Sequence, residues 1–98
     1  MADMPYVVLW SPKALNSVKT YLRTPHNGDG ATNRSKVIRA IDARLRLDPV
    51  EFGEIYRLRG AVEEHHAVMD GVSIDFAVDK KKRFVHVRAC SILSGPGS

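Results

Sequence analysis

The chain of 98 residues has one cysteine, Cys90. An internal disulfide is therefore excluded, and a single thiol cannot build a zinc site alone. Aromatics are sparse: one Trp, three Tyr and three Phe. No stretch approaches the roughly 18 consecutive apolar residues that a membrane-crossing helix needs. The opening "MADMPYVVLW" has no basic start followed by a long apolar run, so no signal peptide is expected. A Gly-rich phosphate loop, a CxxC pair and a GxSxG turn are all missing, which removes the commonest nucleotide, redox and hydrolase signatures. A soluble, cytoplasmic protein without cofactor or metal is the expectation.

What is present fits one small domain, expected over residues 1–93, with "SGPGS" (94–98) as a disordered tail. The hydrophobic fraction is 44% and the charged fraction 27%, ordinary values that argue against disorder across the chain. A net charge of +4 leans mildly toward a polyanion or an acidic partner.

"YVVLW" (6–10) reads as a buried strand. "SPKALNSVKTYLR" (11–23) opens with Ser11 as N-cap and Pro12 at the first helical position. Leu15, Val18 and Leu22 fall on one face of that helix, with Ala14 and Tyr21 beside them. "TPHNGDGATN" (24–33) reads as a loop. A second helix is expected from Thr32 or Asn33 to about Leu47, with Val37, Ile38, Ile41 and Leu45 as its apolar stripe. Its other face carries Arg34, Lys36, Arg39, Arg44 and Arg46 against Asp42, either a phosphate-facing stripe or a solvated face. Asp48-Pro49 ends it, because the residue before proline is pushed out of the helical region.

"EIYRLRG" (54–60) reads as a short extended lead-in. Asp70-Gly71 is a tight-hairpin signal, since both residues tolerate positive φ. "DKKKRF" is a second, longer turn. Strand 72–79 alternates, with Val72, Ile74, Phe76 and Val78 toward the helices. The order is strand, helix, helix and an antiparallel meander: an α+β chain, β-α-α-β-β-β, with two helices on one face of a small, mainly antiparallel sheet.

The hairpin sets Met69 opposite Val72, Ala67 opposite Ile74 and His66 opposite Asp75. A four-residue turn, Lys80 to Arg83, sets Asp79 opposite Phe84. Arg88 then falls opposite Asp75, His86 opposite Ala77, and Cys90 opposite Ser73. His66, Asp75 and Arg88 are thus expected in a row on the open face, flanked by His86, Ser73, Glu64 and Cys90.

A histidine beside a carboxylate is held in one orientation and suits general acid or base work. An arginine nearby can hold a phosphate. His66, Asp75, Arg88 and His86 are therefore the candidate catalytic set. The plainer reading is a cross-strand ion pair with a histidine next to it. Arg57, Arg59, Lys80, Lys81, Lys82 and Arg83 are the candidate contacts to nucleic acid or to a protein partner. A charge run at a turn tip also protects the neighbouring strands from aggregation. His65, His66 and His86 make a poor metal site, because adjacent histidines on a strand point to opposite faces.

"VVLWSPKALNSVKTYL", a basic second helix ending in "RLRLDP", then "YRLRG", "GVSIDFAVD" and "RFVHVRA" together resemble the RelE/ParE toxin superfamily. The resemblance covers roughly 6–92 in order and spacing. It implies a compact β-α-α-β-β-β fold and a bacterial toxin of a toxin–antitoxin, plasmid-stabilising kind, neutralised by an antitoxin whose chain wraps it. RelE-like members cut messenger RNA in the ribosomal A site without a metal; ParE-like members act on DNA gyrase.

Carried over residue by residue, the resemblance thins. Where RelE-like nucleases have basic residues on the open face of the first meander strand, this chain has His66 and Val68. Where they have an arginine two residues after the hairpin glycine, it has Ser73. Near the end, "ACSILSGPGS" replaces a further basic residue and a terminal Tyr or His, with only His86 and Arg88 upstream. Only His66 lands on a matching catalytic position. These departures count against cleavage by the usual set and favour a toxin that binds an antitoxin and a target such as gyrase. The alternatives are a ribosome-dependent, metal-independent mRNA endoribonuclease and a non-toxic module working as a homodimer.

Overall fold

The computed structural model describes residues 4–23 and 30–92. The expected tail, 94–98, lies outside them. The elements are β1 (Val7–Trp10), α1 (Pro12–Arg23), α2 (Gly30–Leu47), α3 (Pro49–Phe52), β2 (Glu54–Arg59), β3 (Val62–Met69), β4 (Val72–Asp79) and β5 (Phe84–Ile92). One five-stranded sheet runs in the order β1-β5-β4-β3-β2. β1 lies parallel to β5, and every other pair is antiparallel. The α+β class and the helices-on-sheet arrangement are those the sequence predicts. Two elements go beyond the sequence reading. The lead-in at 54–59 is a full edge strand, and Pro49, placed where a helix tolerates it, starts the single turn α3.

Ser11 caps α1 as expected: its Oγ accepts from the Ala14 N–H at 3.1 Å. The buried stripe of α1 is rotated from the one predicted. Ala14 and Val18 are buried and Tyr21 packs against them, whereas Leu15 and Leu22 stay exposed. The 14-18-21 spacing lets the small Ala14 bring the helix close to β5. α2 begins at Gly30, earlier than the predicted Thr32 or Asn33; Ala31, the best helix former, extends it. Ile41 and Leu45 are fully buried, with Val37 and Ile38 packed partly against the core. Each fully buried apolar side chain of this size contributes about 1.5–3 kcal/mol. The Trp10 Nε1–H donates to Asp42 Oδ1 at 3.1 Å and ties β1 to α2.

The basic face of α2 is largely engaged within the chain. Arg46 pairs with Asp42 and Arg44 with Asp48, each at 2.7 Å. Arg34 donates to the Tyr21 carbonyl at 2.9 Å and lies over the Tyr21 ring.

The core side of the sheet is Val72, Ile74, Phe76 and Val78 of β4 with Val85 and Val87 of β5. Asp70 and Gly71 both have positive φ, as the tight hairpin requires. The predicted β3–β4 register is observed at every stated pair: Met69–Val72, Ala67–Ile74 and His66–Asp75.

Candidate functional site

The open face of the sheet is built from alternate residues of five strands. Across its middle run Arg57 of β2, Glu64 of β3, Ala77 of β4, His86 of β5 and Leu9 of β1. The next level holds Glu54, His66 and Asp75. These positions follow from the two-residue repeat of a strand.

The structure brings His66 and Asp75 together. Their Nδ1 and Oδ1 are 2.8 Å apart, and both side chains are nearly half exposed. With Nδ1–H donating to the carboxylate, Nε2 is left to accept from the Ser73 hydroxyl, 3.4 Å away. An Asp–His–Ser sequence of contacts results. It orients the imidazole as a base, but the last contact is long.

Arg88 does not join this row. The β4–β5 register shifts between Asp75 and Phe76, so Asp75 faces Ala89 and Ile74 faces Cys90. The extra residue of this bulge is Arg88. The β1–α1 junction lies against it. The Ser11 N–H donates to the Val87 carbonyl at 2.9 Å, and the Ser11 hydroxyl to the Arg88 carbonyl at 3.0 Å. Ser11 thus satisfies backbone groups that the ladder gives up. The shift also corrects the placing of Cys90. Expected opposite Ser73 on the open face, it is buried in the core. Burial pushes its thiol pKa up, the opposite of what a nucleophile needs.

Arg88 reaches Glu64 instead. Its Nη1 donates to Oε1 at 3.0 Å. From the other side, Arg59 Nε stands 2.8 Å from Oε2, an ion pair whose N–H does not point along the contact, since that oxygen has no hydrogen bond. Glu64 belongs to the face without helices, yet its side chain is only 5% exposed. Two guanidinium groups meet it, and Ala77 beside it is buried as well. A charge removed from water in this way is tolerated because it is doubly paired. Glu64 was expected only as a flanking residue. Its sequence signal was a carboxylate at the level of the open face where Arg57, Arg59 and Arg88 converge.

The remaining predicted residues divide. His86 sits opposite Ala77, as expected. Lys80 pairs with Glu63 at 2.8 Å. Arg83 donates to the Met4 carbonyl and lies over the Tyr6 ring. Lys81 and Lys82 are exposed at the turn, and Arg57 is exposed on β2. Thus Arg59, Lys80, Arg83 and Arg88 are bound within the chain.

A second polar group lies behind the sheet. His65 is 2% exposed and its Nε2 meets Glu63 Oε1 at 2.8 Å. Its ring stacks on Phe76, with centroids 5.4 Å apart, and Phe76 stacks on Phe52. Lys80, then His65, hold the Glu63 carboxyl below its ordinary range. Among the described residues no three His, Cys, Asp or Glu side chains stand close enough to hold a metal. Among the described residues no helix is long and apolar enough to cross a membrane.

This architecture is the RelE-like fold, a class of small α+β proteins. No family model and no curated protein matches the chain. Among solved structures it is similar to a chain of the RelE–RelB complex of Pyrococcus horikoshii, with TM-score 0.69 and 13% identity over 95% of this chain and 100% of that one. It is similar to a chain of the RelBE2 toxin–antitoxin complex of Mycobacterium tuberculosis, with TM-score 0.66 and 15% identity over 90% and 98%. The isolated RelE toxin of E. coli gives 0.54 and 15% over 93% and 87%. At these identities the likeness is one of fold.

Proposed function

We propose that this chain is a RelE-fold toxin of a toxin–antitoxin pair that works by binding. It is held by a cognate antitoxin and acts on a cytoplasmic target such as DNA gyrase. One observation carries this reading: Arg59, Arg88 and the His66 imidazole on the open face are engaged by the chain's own carboxylates, while Arg57 stays exposed. Glu64 holds Arg59 and Arg88, and Asp75 holds His66. An RNA phosphate would have to compete with a buried carboxylate for the same guanidinium groups. The antitoxin partner is supported by the two similar chains solved within RelE–RelB complexes. Arg57, Lys81 and Lys82 are the exposed cations that offer contacts to an acidic partner.

The metal-independent endoribonuclease is the second reading. It is favoured by His66, oriented by Asp75 with Nε2 toward Ser73. In that reading His66 takes the proton of an RNA 2′-hydroxyl as it attacks the adjacent phosphate, the bond from phosphorus to the 5′-oxygen breaks to leave a 2′,3′-cyclic phosphate, and the departing 5′-oxygen takes a proton from water or from His86; Arg88 would have to leave Glu64 to reach the phosphate.

Tightly controlled induction in a bacterial host separates the readings. Growth arrest by the wild type and by His66→Ala alike is the expected result. Arrest lost in His66→Ala, with the fold intact, replaces the binding toxin with the nuclease. No arrest by the soluble wild type overturns both.

A further inference from the structure

The edge strand β2 carries a pattern of which the toxin reading uses only Arg57 and the sheet's own packing only the Arg59–Glu64 pair. All six residues, Glu54 to Arg59, are exposed. Ile55 is 48%, Tyr56 53% and Leu58 66% exposed, although Ile55 and Leu58 lie on the helix side, opposite His65 and Glu63 of β3. One edge of the strand pairs with β3, and among the described residues no strand lies against the other. Such an edge is a template for a further strand.

The strand matches itself. Tyr56 and Arg57 together stand opposite the single Glu64, because the register shifts between Ile55 and Arg57. Six residues therefore occupy five ladder positions. In a regular strand, residues five apart point to opposite faces. Here the bulge returns Glu54 and Arg59 to the same, open face, and Ile55 and Leu58 to the same, helix-side face.

We propose that β2 pairs antiparallel with β2 of a second copy of this chain, about a two-fold axis at the Tyr56–Arg57 bulge. Glu54 then faces the partner's Arg59, and Ile55 faces the partner's Leu58. At the axis the Arg57 guanidinium meets the partner's Tyr56 ring, a favourable cation–π contact. Each opposed pair is of opposite charge, apolar, or cation with ring, which are the pairs that stabilise an antiparallel ladder. The contact is isologous and closes at two copies, since it consumes the free edge of both sheets. The charges and the bulge that guard this edge against unrelated strands are compatible with its own copy. The contact is six residues a side, below the standard interface size, so the dimer dissociates on dilution. It does not depend on the toxin reading.

Light scattering across a concentration series tests the dimer. The mass should rise from the 10.9 kDa of one chain toward twice that value. Leu58→Lys, at an exposed site, should hold it at one chain throughout. Register is tested in a Cys90→Ala background: Ile55→Cys and Leu58→Cys should cross-link on oxidation when mixed, and neither alone. One chain's mass at every concentration overturns the proposal and leaves the edge to an unrelated strand. A dimer that persists in Leu58→Lys, or Ile55→Cys cross-linking to itself, also overturns it.

Discussion

Residues 63–66 read Glu-Glu-His-His, and the strand deals them alternately to the two faces of the sheet. Glu63 and His65 go behind it; Glu64 and His66 go to the open side. The two histidines differ as the faces do, at 2% and 47% side-chain exposure. The two glutamates reverse that order. Glu64, on the open face, is more buried than Glu63, at 5% against 13%. The backbone fixes the direction of a side chain, but arginines from distant strands decide whether it meets water. Long cationic side chains with apolar stems cover surface in this way.

The largest effect expected from breaking this contrast is on the inner side. His65→Ala removes a fully buried ring stacked on Phe76 and leaves Glu63 with Lys80 alone. A loss of about 2–4 kcal/mol is expected, measured by urea unfolding. His66→Leu, the matching change outside, should leave the unfolding midpoint nearly unmoved.

Glu64→Gln comes next. It removes a charge held between two guanidiniums, but Arg59 and Arg88 are 60% and 42% exposed and can turn to water. About 1–2 kcal/mol is expected, less than for a pair sealed on both sides. A loss as large as that of His65→Ala would mean that the arginines are held far more tightly than their exposure implies.

The pH dependence sharpens the comparison of the glutamates. The folded Glu63 pKa lies below the ordinary 4.5, through its bonds to Lys80 and His65. A carboxyl with a lowered folded pKa adds stability above its unfolded pKa. That stability is lost as pH falls from about 4.5 through the lowered value. Acid unfolding followed by circular dichroism should therefore lose part of its pH dependence below 4.5 in Glu63→Gln. At the alkaline end Lys80, raised above 10.5 by the same contact, adds stability that is lost as pH rises through its folded pKa.

The smallest effect is expected at His66→Ala. The pair with Asp75 is nearly half exposed on both sides, and such pairs contribute about 0.2–1 kcal/mol. Thermal unfolding at neutral pH should shift by no more than a few degrees.

Much of this arrangement was legible in the residues. The alternation of 72–79 and the Asp70-Gly71 turn placed His66 opposite Asp75, and the four-residue turn placed Asp79 opposite Phe84. Both rest on local chemistry. Arg88 and Cys90 were not legible, because no local pattern marks their bulge, where Ser11, 77 positions from Arg88 in the chain, donates to the Arg88 carbonyl. The extended reading of 54–60 covered the length of β2, but the bulge at Tyr56, which interrupts the two-residue repeat, hid its pairing with β3. The burial of Glu64 needs Arg59 and Arg88 to converge from β2 and β5, which no local pattern encodes. The resemblance to the RelE/ParE superfamily implied the compact α+β fold, and the similar solved chains agree with it. The resemblance left the site open, because the residues that would decide it are replaced here.

In the binding-toxin reading, Glu64 keeps Arg59 and Arg88 from acting on a phosphate backbone. The affinity of the purified chain for a short single-stranded RNA, compared between wild type and Glu64→Gln over a salt series, tests this at the site itself. Weak binding by the wild type is expected, with tighter binding and a steeper loss with salt in Glu64→Gln, whose two arginines are released. Tight binding by the wild type that Glu64→Gln weakens would contradict it, and would make Glu64 the support beneath a working phosphate site.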